Sequence, residues 1–179
     1  MIQRIQSILL LITGVLMLVF LFVPTWQNQN KPDTQDGKVS DVKVALTPFS
    51  LMLTGTEKFE ERTQENIVKE QKILNETKNT IYIAVLAIAV AAVSFYSIFQ
   101  FRNRLLQIKL GAFSSMVMCL IIVCAYINIM QGNKMLSNHA EGEFQVGFYM
   151  PIIGILLNLL ANRFIRKDEQ LVKSADRIR

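Results

Sequence analysis

Four stretches of the chain hold no charged side chain: Ile5 to Trp26, Thr80 to Phe101, Leu110 to Asn133 and Phe144 to Asn162, of 22, 22, 24 and 19 residues. A hydrocarbon core of about 30 Å takes about 20 residues of helix, so each stretch has the length of one crossing. Backbone groups in lipid must bond within their own span, and the alternation of a barrel strand is missing from all four. The pattern therefore predicts an all-α integral membrane protein, a four-transmembrane-helix bundle. Its predicted spans are residues 1–26, 80–101, 110–133 and 144–162, joined by an outer segment over 27–79, an inner linker over 102–109 and an outer loop over 134–143. A tail over 163–179 completes it. The first span follows Arg4, as a cleaved signal peptide would. Its apolar run from Ile8 to Val23 is longer than an ordinary signal core, and no small-x-small site precedes Pro24, so a retained anchor is predicted.

Charge fixes the expected orientation. The linker carries Arg102, Arg104 and Lys109 and no acid, and the tail carries six basic residues against three acidic ones. The 27–79 segment has eight basic and nine acidic residues, and the 134–143 loop sets Lys134 against Glu141 and Glu143. Since cytoplasmic loops keep the positive excess, both termini and the linker are expected inside a bacterial inner membrane. Trp26 and Tyr149 are expected as interfacial aromatic anchors. The net charge of +5 is thereby assigned to topology, and no basic patch with interleaved aromatics suggests nucleic acid. Apolar residues make up 51% of the chain, which argues against a soluble enzyme and a disordered chain. Cys119 and Cys124 are five residues apart in the third span, turned away from each other on a helix, so no disulfide framework of the claudin or tetraspanin kind is expected.

In the outer segment, Val42, Val44 and Leu46 alternate with polar or small residues and predict a short strand. Phe49, Leu51, Met52 and Leu53 form an apolar knot that lies on the membrane surface or docks a partner. From Glu57 to Asn79 there is neither Gly nor Pro, and the charges recur at helical intervals. This predicts a helix running on into the second span as a rod of about 65 Å.

No Asp, Glu, Lys, Arg or His lies in any span, which disfavours proton-coupled transport. The polar residues there (Thr13, Ser94, Ser97, Gln100, Ser114, Ser115, Asn128, Gln131, Asn158) read as packing contacts. Ala87 and Ala91, like Gly111 and Ser115, allow close helix approach. In the fourth span Gly147, Pro151, Gly154 and Asn158 share one stripe and read as a packing seam with a proline kink; the alternative is a polar cavity. His139 with Glu141 and Glu143 is a weak metal or acid–base constellation. No motif for a cofactor, a catalytic nucleophile or a small-molecule substrate occurs.

The tail is predicted to continue helically, with Arg163, Arg166 and Lys167 at the anionic leaflet. The opening Met1-Ile-Gln-Arg-Ile-Gln6 and the closing Ile165-Arg-Lys-Asp-Glu-x-Leu-Val-Lys-Ser-Ala-Asp-Arg-x-Arg179 resemble the ends of an uncharacterised four-span inner-membrane family of Bacteroidota, a domain of unknown function. The resemblance implies a fold and a location and transfers no catalytic residue. Its distinctive residues lie at the cytosolic ends. The expected function is an accessory or scaffold subunit that meets membrane-protein partners, or further copies of itself. Docking is expected through Arg166, Lys167, Asp168, Glu169, Ser174, Asp176 and Arg177, with Phe49, Leu51, Met52 and Leu53 as a second contact. The alternatives are a small transporter or channel built on the fourth span, and a membrane enzyme using His139.

Overall fold

The computed structural model describes residues 2–29, 38–63, 66–100, 103–135 and 142–177. Helix α1, Ile2–Phe20, stops ahead of Pro24 in a tightening turn, with the Val23 N–H donating to Phe20 O at 3.3 Å. Strands β1 (Trp26–Gln29), β2 (Lys38–Leu46), β3 (Ser50–Thr63) and β4 (Asn66–Asn79) follow, then helices α2 (Ile81–Phe99) and α3 (Arg104–Met135). A two-residue strand β5 (Glu143–Phe144) leads into α4 (Val146–Arg177). The architecture is thus mostly helical with one small sheet. Helices α2, α3 and α4 are long and apolar enough to cross a membrane, and α1 is a shorter apolar helix over Ile5–Phe20.

Each helix packs on its sequence neighbours, and α4 closes against α1. The direction alternates from helix to helix, so the start of α1 and the end of α4 lie at the end remote from the sheet. Small residues set the seams. A methyl at Gly14 would meet the Phe95 ring at 3.1 Å, one at Gly154 the Met118 sulfur at 2.8 Å, and one at Gly147 the Pro24 carbonyl at 2.5 Å. Between these seams Met17, Phe20, Ile83, Ala84, Ala87, Val90, Ala91, Met118 and Ile121 form a buried apolar cluster.

The sheet is antiparallel in the order β4-β3-β2-β1-β5. β2 occurs where alternation predicts it, with Val44 and Leu46 buried. The rod expected over 57–79 does not form: Ser50–Thr63 and Asn66–Asn79 pair as a hairpin along their full length, and α2 begins afresh at Ile81. The charges that suit i,i+3 and i,i+4 helix pairs suit the hairpin as well, since Glu57 opposes Lys72 and Glu60 opposes Lys69. The segment is also rich in β-branched residues, Thr54, Thr56, Thr63, Ile67, Val68, Ile73 and Thr77, which fit the pleated surface. The fold is therefore not all-α.

The sheet is joined to the helix ends by hydrogen bonds. Thr25 donates both its N–H and its Oγ1 to Leu46 O, each at 2.9 Å, while the Gln145 N–H reaches Thr25 O and the Gly147 N–H reaches Pro24 O. Thr80, at the start of α2, donates its N–H to Phe49 O at 3.0 Å and its Oγ1 to Thr47 O at 3.1 Å. Trp26 is 1% exposed and is no interfacial anchor. It packs in a cluster with Val44, Leu46, Leu51, Leu53, Ala125 and Ile129, with Gly132 of α3 and Gly142 making room for its ring. Tyr149 stays half-exposed.

The hairpin and the rod differ sharply in one distance. Glu57 and Lys72 as opposed strand partners have Cα atoms about 5 Å apart, whereas 15 residues of helix would separate them by about 22 Å. In a background with Cys119 and Cys124 replaced by Ser, Glu57→Cys with Lys72→Cys is expected to form an intramolecular disulfide on mild oxidation, read by a gel shift reversed with reductant. Two thiols that remain free would restore the helical rod.

Candidate functional site

The residues singled out in the sequence fall into three places. The first is the α3–α4 seam. Gly147, Pro151, Gly154 and Asn158 are all buried on one side of α4. Asn158 donates from Nδ2 to the Gly111 carbonyl at 2.6 Å and to Ser115 Oγ at 3.0 Å, so this side chain is engaged in helix contact. Gly111 is needed there because a methyl would overlap the Asn162 amide. On the α2–α3 side, Gln107 donates from Nε2 to Ser97 O at 3.2 Å. Toward the sheet, Asn128 donates to Cys124 O at 2.7 Å and also to the Tyr82 hydroxyl. Each polar group buried in an apolar surrounding costs free energy unless it is bonded in this way.

The second place is the tail end. Arg104, at the start of α3, and Asp168, on the continuation of α4, form an ion pair at 3.2 Å, and Arg104 also donates to Asp168 O at 3.3 Å. Their side chains are 24% and 16% exposed. The carboxylate is therefore engaged within the chain and braces the tail. Arg166 and Lys167, between Ile165 and Asp168, are exposed, and Glu169 is half-buried. The side chains of Ser174, Asp176 and Arg177 lie outside the described residues. α4 runs as one helix from Val146 through Arg177, as the tail pattern predicts.

The third place is the sheet. The knot at 49–53 splits by strand alternation. Leu51 and Leu53 are 1% and 8% exposed and point into the cluster around Trp26, whereas Phe49 and Met52 are 44% and 48% exposed. Leu51 and Leu53 are therefore core residues, a correction that follows from the period of two along a strand. His139 and Glu141 fall outside the described residues, and Glu143 is exposed in β5. Among the described residues no group of three His, Cys, Asp or Glu side chains is arranged to hold a metal.

Sequence reasoning missed Gln6, Gln107 and Asn162, buried at 5%, 4% and 7% exposure, and the Arg104–Asp168 pair. The signal was present as spacing: Ser94 and Ser97, Gln107 and Ser114, Asn158 and Asn162 recur every three, four or seven positions, which places each pair on one helix face. Residues just outside an apolar window are easily assigned to linkers.

A family model described as Domain of unknown function (DUF4293) matches residues 2–178. No match was found among curated proteins.

Asn158→Leu keeps the volume of the side chain and deletes both of its bonds to α3. It is expected to lower stability by about 1 kcal/mol, the scale of one net intrahelical-bundle hydrogen bond. Equilibrium unfolding of purified protein in detergent checks this, and an unchanged or raised stability would show that the bonds contribute nothing to the seam.

Proposed function

The chain belongs to the DUF4293 family, and from that premise we propose an integral inner-membrane protein that acts as an accessory or scaffold subunit. The observation that supports the membrane part is the outward face of the helices. Ile8 on α1, Val85 on α2, Phe113 on α3 and Leu156 on α4 are all more than half exposed, within a continuous set that includes Leu11, Ile12, Val15, Ile88, Met116, Leu120, Val123, Ile153 and Leu159. Apolar surface on this scale is unfavourable in water and favourable against lipid tails. The outward apolar face that α1 shares with the three longer helices supports a reading with four crossings. The basic linker and tail support a topology with both termini in the cytoplasm and the sheet, with its acidic excess, outside.

The docking part rests on the tail. In the turn braced by Arg104–Asp168, α4 carries Arg166 and Lys167 outward on a helix whose direction is already set, so little order has to be imposed when a partner binds. On the sheet, Phe49 and Met52 supply a smaller apolar contact at the opposite end. Glu169, Ser174, Asp176 and Arg177 extend the tail surface of this proposal.

Orientation is checked by labelling intact cells with an impermeant maleimide. In a chain lacking the native cysteines, Phe49→Cys is expected to react from outside and Lys167→Cys only after the cells are opened; the reverse pattern inverts the topology. For the scaffold role, a chain ending at Arg163 is expected to insert as the full chain does but to lose its co-purifying protein after gentle detergent extraction. A full-length chain that runs alone under the same extraction overturns the role.

A further inference from the structure

The tail-end half of the helix ring is polar inside, and an apolar band separates it from buried Asn128 near the sheet. Thr13 on α1, Ser94 on α2, Ser114 on α3 and Asn158 on α4 are 0%, 2%, 3% and 1% exposed. They share one level, because Gly14 faces Phe95 and Asn158 bonds Gly111 and Ser115. One turn toward the termini come Ser97 and Asn162, about two turns on come Gln6 and Gln107, and beyond them the Arg104–Asp168 pair. One turn toward the sheet the polarity is interrupted: Met17, Ala91 and Met118 fill the next level, then Phe20, Ala87 and Ile121.

Four atoms in the polar half have no hydrogen-bond partner among the described residues; Asp168 Oδ2 faces Arg104 in the ion pair, which leaves Ser97 Oγ, Asn162 Oδ1 and Gln6 Nε2. Their side chains are 1%, 7% and 5% exposed. Leaving such a group unbonded costs about 1–3 kcal/mol. A polar side chain that serves only to join helices bonds its neighbour, as Asn158 does; these three do not, and they come from three different helices. Counted along the helices from the Gly14–Phe95 and Gly154–Met17 contacts, they are spread over roughly 9 Å of the axis. That is the length of a file of about three waters at ordinary oxygen–oxygen spacing. Together they offer an amide donor, a carbonyl acceptor and a hydroxyl that does both, the complement of a water that donates two bonds and accepts two. From Gln6 to Thr13 on α1, and at Ser94, Ser97, Gln107, Ser114, Asn158 and Asn162 on the other helices, the polar side chains are uncharged, so an ion would find no counter-charge.

We propose that the tail-end half of the helix ring is a water-binding vestibule, entered beside the Arg104–Asp168 pair and closed at the Met17–Met118 level. This stands on burial and bonding alone; the membrane reading adds only that the mouth faces the cytoplasm. The vestibule is one-ended, which distinguishes the chain from a continuous pore. It also gives the inner polar residues a role other than helix adhesion.

Water-edited solid-state NMR on the full-length, isotope-labelled chain in lipid bilayers tests it. Polarisation from water is expected to reach the side-chain amides of Asn162 and Gln6 as quickly as that of exposed Asn103, and to reach the Met118 and Ile121 methyls slowly. The amide signals are identified by their loss in Asn162→Leu and Gln6→Leu, or by sequential assignment of the unaltered chain if either variant fails to fold. Amides as slow as the Met118 methyl would overturn the vestibule. Methyls of Met118 and Ile121 as fast as Asn103 would overturn its closed end. Either result leaves the proposed tail docking to its own experiment.

Discussion

Most of the large apolar side chains of these helices face outward, and the few turned inward, such as Met17, Phe20, Met118 and Ile121, leave much of the interior to be held by something else. Ile8, Val85, Phe113 and Leu156 cannot serve both as an outer surface and as a core. Cohesion between helices therefore depends on backbone approach at Gly14, Gly111, Gly147 and Gly154, on small Ala87 and Ala91, and on bonds from Asn158, Gln107 and Asn128. Against lipid tails, as proposed here, burying more Leu between helices would bring no hydrophobic gain, so close packing and hydrogen bonds remain the means of association. The polar interior at the tail end is a consequence of that constraint, and so is the room it leaves for water.

The sheet is coupled to the same framework. Trp26 stands at the junction, with α1 leading into it, Gly132 of α3 beneath its ring, and β2 and β3 beside it. Pro24 and Thr25 accept bonds from the first residues around α4, and Thr80 bonds the β2–β3 turn. Every helix thus meets the sheet or its connections: α3 adds a bond between Gln131 and Lys78 of β4. A force applied at exposed Phe49 or Met52 would reach the helix ends through bonded backbone and not through a free tether. This coupling is a physical basis on which an outer contact and the inner tail of the proposed scaffold can act as one body.

At the other end the Arg104–Asp168 pair has a different weight. Surface ion pairs contribute little, up to about 1 kcal/mol, and this one is partly exposed. Its consequence is geometric: it ties the first turn of α3 to the tail and so sets how α4 leaves the ring, with Arg166 and Lys167 turned outward. The same pair borders the mouth of the polar vestibule, so tail contacts and vestibule access share a neighbourhood.

Much of the helical body was legible in the sequence because its signals are local. Length and absence of charge mark the apolar helices, and alternation marks β2. A period of three and four marks the stripe from Gly147 to Asn158. The hairpin over 50–79 was not legible, since Lys69 and Lys72 have acidic neighbours both at helical spacing, Glu65 and Glu76, and across the strands, Glu60 and Glu57. Only pairing with a strand elsewhere in the chain chooses between them. The inward turn of Leu51 and Leu53, the burial of Trp26 and the engagement of Asp168 were likewise decided by tertiary contact. A chain of side chains specifies by itself which segments avoid water, because that is a property of each residue. Which polar atoms end up facing one another depends on helices distant in sequence, and so it was settled only when they packed.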